Sequence, residues 1–338
     1  MTMKKIVTFG EIMLRLSTPG FSRFVQAASF DATYGGGEAN VAVSLAQFGV
    51  PAEHVTRFPD NDLGRAATAL LRKYGVRTDH IVYGGDRLGI YFLEFGAISR
   101  PSKVVYDRAG SAFAHIEPGM IDWETVLAGA GWFHWTGITP AISDSAARTL
   151  LQGIQTANRL GVQVSADVNY RKNLWQYGKT PRQVMPELVA GCDLILCSKG
   201  DARDLFGLEG EKDAENPWLS VARLIMAAYP RIKKIVNTKR ESVSASHNTL
   251  MGMLWNGQGH LTTRVHPIVP IIDRIGGGDA FVAGLLYGLE TYANDQQALD
   301  FAVAASVLKH SVEGDANLVT VAEVETVMHG DSSGKLSR

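Results

Sequence analysis

The stretch DRIGGGDAFVAGLLYGL, residues 273–289, is the most informative segment of the chain. Three glycines, Gly276 to Gly278, precede Asp279 and an apolar run of small residues that predicts a helix. Glycine lets backbone approach a ligand closely, and the first turn of a helix offers unpaired N–H groups and the positive end of its dipole to an anion. A phosphate held by these amides, with the carboxylate beside it as a base, explains both features. The plainer alternative is an aspartate that caps a buried helix.

The composition is that of a globular protein with no dominant charge. The 338 residues are 46% hydrophobic and 20% charged, with a formal net charge of −1, which allows a large core. No basic field indicates nucleic acid or an anionic membrane as a partner. Gly10 and Glu11 interrupt the first apolar run, which argues against a signal peptide. Cys192 and Cys197 are too few for a secreted disulfide framework and predict buried free thiols. We therefore expect a soluble, cytoplasmic protein that does not span a membrane.

Alternating strand and helix patterns predict the main sheet. Strands are predicted at 4–12, 132–137, 162–169, 193–198 and 233–239, and helices at 35–49, 62–74, 143–160 and 217–228. This alternation is typical of a doubly wound α/β fold, with a mostly parallel sheet and helices on both faces. Ligands of such folds bind beyond the carboxyl ends of the strands.

Two segments interrupt this alternation. Residues 13–34 and 89–110 have short, polar-interrupted strand patterns, and we expect them to pair into a small β-sheet that acts as a lid. The polar tail, residues 331–338, is expected to be flexible.

Common nucleotide-binding motifs fail on spacing. Gly178, Lys179 and Thr180 resemble the end of a Walker A loop, but Asn173 stands where its first glycine belongs. The glycines at 35 and 37, and those at 276 and 278, lack the third glycine of the dinucleotide fingerprint. A nicotinamide dehydrogenase is therefore disfavoured.

Two glycine clusters remain, each opening a helix, and together they resemble the ribokinase-like (PfkB-type) carbohydrate kinases. The first cluster is Gly35 and Gly36 followed by Asn40, and the second is Asp273 with residues 276–279. The resemblance extends from about residue 4 to residue 327 and implies a single kinase domain over 1–330. It implies ATP and Mg²⁺ as cofactors, and it leaves the need for a monovalent cation open.

Four further stretches are similar to family members that act on a 2-keto-3-deoxy sugar acid. They are residues 91–113, 167–175, 238–246 and 309–318. The resemblance implies transfer of the γ-phosphoryl group of ATP to the terminal 6-hydroxyl of a 2-keto-3-deoxygluconate-type acid. A carboxylate on the sugar would explain arginines in its pocket, because the guanidinium fork matches a carboxylate.

The resemblance also assigns roles to residues. Asp279 would be the catalytic base, and the amides of Gly276, Gly277 and Gly278 would stabilise the transferred phosphoryl group. The implied sugar-binding residues are Gly35, Gly36, Asn40, Tyr91, Tyr106, Arg108, Arg171, Asp279 and Asp315. The alternative for either arginine is an ordinary solvated surface position, and the tyrosines could equally pack or contact a second subunit.

The implied ATP-binding residues are Asn169, Ser198, Thr238, Arg240 and Ser242, together with Gly276 and Gly278. Asp201 corresponds to the glutamate of a family motif that organises Mg²⁺ through water, but Ser198 replaces its asparagine. A helix cap is an equally good interpretation of Asp201. Residues 238–242 replace the glycine-bearing nucleotide loop of the family with charged residues.

Two other functions stay open: a kinase of the same family for a neutral sugar such as fructose, and a non-catalytic sugar sensor. An exposed lid edge also predicts a homo-oligomer that pairs through the lid. The preference at C4 of the sugar and the pathway served are not determined.

Overall fold

The structure is a computed structural model that describes residues 3–211 and 214–330. The predicted flexible tail, 331–338, lies outside the described residues. The strands are β1 (Lys5–Phe9), β2 (Met13–Ser17), β3 (Asp31–Gly35), β4 (Ala52–Val55), β5 (Arg57–Phe58), β6 (Val82–Tyr83), β7 (Gly89–Glu94), β8 (Lys103–Asp107), β9 (Ala130–Thr136), β10 (Gln163–Asp167), β11 (Leu194–Leu196), β12 (Lys234–Ser244), β13 (His247–Trp255), β14 (His260–Thr262) and β15 (His266–Ile268). The helices are α1 (Gly37–Gln47), α2 (Asp62–Lys73), α3 (Trp123–Leu127), α4 (Thr139–Ile142), α5 (Asp144–Leu160), α6 (Pro181–Ala190), α7 (Lys199–Asp201), α8 (Pro217–Ala228), α9 (Gly277–Thr291), α10 (Asp295–Lys309) and α11 (Val321–Met328).

The main sheet has the order β14-β13-β12-β11-β10-β9-β1-β4, and β15 pairs with β13. The strands from β12 to β4 are parallel, whereas β13 runs antiparallel to β12, β14 and β15. The predicted doubly wound, mostly parallel sheet is therefore confirmed. The sequence analysis did not predict the antiparallel strands at its edge.

Helices cover both faces of this sheet. On one face, the ring of Tyr287 in α9 packs 4.8 Å from Phe301 in α10 and 5.4 Å from Phe48 at the end of α1. On the other, Trp123 in α3 packs edge-on against Phe9 and Phe133 of the sheet at 5.2 and 5.3 Å. Aromatic pairs at these distances add to the free energy gained from burying apolar surface.

Small residues bring α9 and α10 close together. A Cβ added to Gly288 would lie 2.6 Å from the Cα of Ala298, and one added to Gly284 would lie 2.9 Å from the Cα of Ala302. Because small residues follow Asp279, α9 packs closely against α10. This contact fixes the position of the N-terminus of α9.

A second sheet of four strands has the order β3-β2-β7-β8. Its strands come from the two segments that the sequence analysis assigned to a lid. The central strands β2 and β7 are parallel, and all five residues of the edge strand β8 are exposed.

None of the helices in the described ranges combines the length and the apolar character that a transmembrane span requires.

The strand predicted at 233–239 is longer than expected. β12 continues to Ser244 and pairs with β13 from Thr238↔Gly252 to Ser242↔Asn248, so residues 238–242 lie in this strand rather than in a loop. The turn lies at Ala245 and Ser246 instead. Charged residues are tolerated in this strand because most of residues 238–244 are exposed.

Candidate active site

The glycine turn begins helix α9. Gly276 has a φ of 82°, a left-handed conformation that favours glycine, and it directly precedes the first helical residue. A Cβ on Gly276 would lie 2.0 Å from the carbonyl oxygen of Asp315, so no side chain could be accommodated there. The N–H groups of the first helical turn have no partner within the helix. The N-terminus of α9 can therefore bind an anion through its backbone.

Asp279 lies in this first turn and faces the start of α1. Asn40 Nδ2 donates a hydrogen bond of 2.7 Å to Asp279 Oδ2. A Cβ on Gly37, the first residue of α1, would lie 3.6 Å from Asp279 Oδ1. The structure therefore brings the two glycine clusters of the sequence together around one carboxylate.

The surroundings of Asp279 make it more basic than an ordinary aspartate. Burial raises its pKa to about 6, the Asp315 carboxylate also raises it, and the hydrogen bond from Asn40 opposes the rise. The carboxylate is still mostly ionised at neutral pH. Proton transfer is most efficient when the pKa of the base is near the working pH, so Asp279 is suited to accept a proton from a hydroxyl group.

Glu38 holds the start of α1 in place, and the sequence analysis missed it. It is fully buried, and its Oε1 accepts hydrogen bonds from the Thr136 backbone N–H at 3.0 Å and from the hydroxyls of Thr136 and Thr139 at 2.8 Å each. Burial raises the pKa of Glu38 to about 7. The bonds anchor α1, and with it Asn40, to the carboxyl end of β9.

Asp167, at the carboxyl end of β10, is a second carboxylate of the site. Burial raises its pKa to about 8, and the neighbouring carboxylates of Asp279 and Asp201 raise it further. Asn169, which has a left-handed φ of 33°, donates to Asp167 Oδ1 from its backbone over 3.2 Å. The sequence analysis named Asn169 but not Asp167, although Asp167 is the first residue of the stretch 167–175 on which the resemblance rests.

Asp201 takes part in the N-terminal cap of α7, whose N-cap residue is Ser198. Its Oδ2 accepts hydrogen bonds from the backbone N–H and the hydroxyl of Ser198 at 3.0 and 2.6 Å, and its own N–H donates to Ser198 Oγ at 3.2 Å. This reciprocal pattern is a capping box. Among the residues that the structure describes, no three His, Cys, Asp or Glu side chains form a group that could hold a metal ion.

The two predicted carboxylate-binding arginines differ in their surroundings. Arg108 is nearly buried, and its Nε donates to Glu11 Oε2 over 2.9 Å, while Ser111 donates to the other oxygen of Glu11. Arg171 is exposed after β10, and its charge lowers the pKa of both Asp167 and Asp279. Arg171 is thus close enough to the candidate base for its charge to act there.

Arg15 was missed by the sequence analysis, and it connects the small sheet to the main body. Its side chain is 1% exposed, and its Nη1 and Nη2 donate to Asp315 Oδ1 and Asp273 Oδ2 at 2.6 Å each. Tyr91 donates to the other oxygen of Asp315. The exposed Tyr106 ring lies 6.1 Å from that of Tyr91. Both Asp315 oxygens are thus already bonded to protein groups.

The predicted nucleotide residues Thr238, Arg240 and Ser242 lie along β12. Partial burial and the positive charge of Arg274, which lies just before the glycine turn, lower the pKa of Arg240. Arg274 Nη2 also donates to the Ala245 carbonyl over 2.7 Å. The hairpin of β12 and β13 therefore flanks the anion-binding turn with positive charge.

The free cysteines Cys192 and Cys197 are buried, as predicted.

Comparison with known proteins agrees with this geometry. The family model "pfkB family carbohydrate kinase" matches residues 3–321. A 2-dehydro-3-deoxygalactonokinase of Haloferax volcanii is 31% identical over 98% of this chain and 98% of its own length. A 2-dehydro-3-deoxygluconokinase of Thermoproteus tenax is 31% identical over 93% of this chain and 90% of its own.

The crystal structure of a 2-dehydro-3-deoxygluconokinase from Thermotoga maritima is 42% identical, with a TM-score of 0.91 over 96% of this chain and 99% of that chain. A TM-score and a coverage this high show that the two chains share their fold over nearly their whole length. The chain belongs to the pfkB family of carbohydrate kinases.

Proposed function

We propose that this protein transfers the γ-phosphoryl group of ATP to the 6-hydroxyl of 2-keto-3-deoxygluconate (2-dehydro-3-deoxygluconate), giving the 6-phosphate and ADP. The observation that carries the proposal is the Asp279 carboxylate, held by Asn40 at the N-terminus of α9. The names of the relatives from Thermoproteus tenax and Thermotoga maritima support the choice of sugar acid.

The proposed reaction uses the anion-binding turn and the base together. The γ-phosphoryl group lies against the amides of residues 276–278, which stabilise the charge on its oxygens. The sugar 6-oxygen forms a bond to phosphorus, the bond from phosphorus to the bridging β,γ-oxygen breaks, and ADP leaves. Asp279 accepts the proton of the hydroxyl group. Such reactions depend mainly on positioning and on neutralisation of charge.

Mg²⁺ accompanies ATP in this proposal. Mg²⁺ is commonly held by one or two carboxylates, substrate phosphates and several waters rather than by a protein cage. Asp167 and Asp201 fit such a role, because they follow neighbouring strands and the negative charge of Asp201 raises the pKa of Asp167. Asp201, already bonded to Ser198, would act through water. Asn169, Ser198, Thr238, Arg240 and Ser242 stay our proposed contacts to ATP.

The sugar acid would occupy the space between the first glycine cluster and the lid. Gly35, Gly36, Asn40 and Asp315 would form its floor, with Tyr91 and Tyr106 on the lid. Arg171 binds the carboxylate, assisted by Arg108, whose Nη1 makes no hydrogen bond with the described residues. A neutral sugar would leave this positive charge unused.

Replacing Arg171 with methionine should raise the KM for 2-keto-3-deoxygluconate about 10–100-fold, because a hydrogen bond to a charged group contributes about 1.5–3 kcal/mol. The kcat should change little, and the KM for a neutral ketohexose should change much less. Steady-state kinetics on both sugars measure the difference. Arg159→Met is the control, since Arg159 pairs with Glu124. Equal increases for acidic and neutral sugars would contradict the role of Arg171.

The experiment that tests the proposed function is an ADP-release assay over keto-deoxy acids, aldonates and ketohexoses. Both C4 epimers of the keto-deoxy acid belong in it, because the named relatives include a galactonokinase and gluconokinases. Preference for a ketohexose would identify a neutral-sugar kinase. Absence of ADP release with every sugar would favour a sensor.

We also propose that two subunits pair through their lids. Strand β8 pairs with β7 on one side and is an edge strand among the described residues, with Val105 and Tyr106 52% and 54% exposed. Such edges readily accept another strand. Val105→Lys should convert the dimer to a monomer in light scattering, whereas Leu160→Lys, at the end of α5, should not. A monomeric unmodified protein would overturn this proposal.

A further inference from the structure

Lys309, the last residue of α10, has an unusual environment for a lysine. Its side chain is fully buried, with 0% exposure, whereas lysine is almost never fully buried unless it is paired. The ammonium donates one hydrogen bond among the described residues, to the Val312 carbonyl over 2.9 Å. The proposed reaction does not use this charge.

The ammonium lies directly behind the glycine turn. A Cβ on Gly276 would lie 3.2 Å from Lys309 Cε and 2.0 Å from the Asp315 carbonyl oxygen. The turn that binds the anion therefore rests on the segment from Lys309 to Asp315. Burial lowers the pKa of Lys309, while the carboxylates of Asp273, Asp315 and Asp279 act against that change.

Arg15 and Lys309 carry two positive charges, and Asp273 and Asp315 carry two negative ones. Asp273 and Asp315 are paired with Arg15 at 2.6 Å each, and the charge of Lys309 acts on the same two carboxylates and on Asp279. Without Lys309, one carboxylate charge would remain uncompensated next to a turn that has to receive a polyphosphate. Uncompensated buried charge is costly, and it would also repel the incoming phosphate.

We infer that the ammonium group of Lys309 takes the place of a bound monovalent cation. It fixes the glycine turn against the segment 309–315 and neutralises the carboxylates behind the turn. Phosphoryl transfer then needs no added monovalent metal ion, because the positive charge of Lys309 would repel an ion bound in this place. Lys309 is a positioning residue and does not contact the reacting atoms. The inference depends on the kinase activity of the family but not on which sugar is phosphorylated.

Kinetics in different salts test this inference. For the unmodified enzyme, replacing K⁺ with tetramethylammonium should leave kcat within about twofold. Lys309→Ala should lower kcat at least about tenfold, the effect of losing about 1.4 kcal/mol, and K⁺ or NH₄⁺ should restore much of the loss by entering the vacated space. Lys309→Met fills the space without charge, so it should be equally impaired and not restored. A merely structural lysine would not produce this difference between the two variants.

Anomalous scattering from Tl⁺-soaked crystals gives a readout independent of activity. We expect no ion beside Asp273 in the unmodified protein and one in Lys309→Ala. Strong activation of the unmodified enzyme by K⁺, a Tl⁺ peak beside its Asp273, or full activity of Lys309→Met would each overturn the inference. If the variants melt too early to assay, the two experiments on the unmodified protein decide. A failure of the proposed sugar specificity would leave the Tl⁺ result unaffected.

Discussion

Asp279→Asn should lower kcat by about 10²–10⁴-fold, the usual contribution of a general base. The asparagine keeps the size and hydrogen-bonding shape of the side chain but cannot accept the hydroxyl proton. Because Asn40 and the amides of the glycine turn remain in place, sugar and ATP should still bind. Phosphoryl-transfer kinetics and calorimetric titration with the sugar separate the two effects.

The same substitution should not destabilise the fold. The folded-state pKa of Asp279 is raised to about 6, so the folded state favours the protonated form. The unfolding free energy that the protonated carboxyl contributes at low pH is then lost as pH rises from about 4 towards 6. This loss is on the order of 1–3 kcal/mol. A neutral asparagine avoids this loss, and the variant should melt at the same temperature as the unmodified protein or higher.

Asp144→Asn is a suitable control, since Asp144 is an aspartate in the first turn of α5 that pairs with Arg148 and Lys179. Its kcat should be unchanged. A variant at position 279 with near-normal turnover would refute the assignment of the base. In the unmodified enzyme, kcat/KM should fall about tenfold per pH unit below about pH 6, as the base becomes protonated. The titration belongs to the coupled carboxylates of the site rather than to Asp279 alone.

Arg15→Met should cost about 3–5 kcal/mol of unfolding free energy, the usual effect of removing one partner from a buried ion pair. Asp273 and Asp315 would both lose their ion-pair partner while remaining 1% and 3% exposed. The small sheet would also lose a buried ion-pair connection to the body, so the KM for the sugar should rise. Denaturant unfolding measures the first effect and steady-state kinetics the second.

Arg65→Met supplies the comparison for this experiment. Arg65 pairs with Asp60 at the surface, where both side chains are about 60% exposed, and such pairs contribute about 0–1 kcal/mol. Combining Arg15→Met with Asp315→Asn should restore part of the lost stability, because one of the uncompensated charges is removed. A loss below about 1 kcal/mol for Arg15→Met would show that the network is not important for stability.

Local patterns were enough to predict much of this molecule. The helix 217–228 has the predicted bounds. The helix predicted at 143–160 starts after Ser143, whose side chain accepts a hydrogen bond from the Ala146 N–H, and ends at the left-handed Gly161. Hydrophobic periodicity and capping residues act over a few positions, so they can be recognised in a single sequence. The glycine turn with Asp279 belongs to the same class of signal.

Features that depend on distant partners were not predictable in this way. Arg15 looks like a polar residue on an alternating strand, and its carboxylate partners lie 258 and 300 positions away. Glu38 and Lys309 would usually be assigned to the surface by residue type. The length of β12 depends on pairing with β13, which local composition does not reveal.

The bond between Arg15 and Asp315 has a consequence for biosynthesis. Its two ends are separated by 300 residues, and ribosomes add about 5–20 residues per second, so the arginine waits about 15–60 s for its acidic partner. Throughout that interval the guanidinium has to stay hydrated. A nascent chain released before residue 315 is made would therefore carry an arginine with only one of its two carboxylate partners, and protein quality control could recognise the unfinished chain.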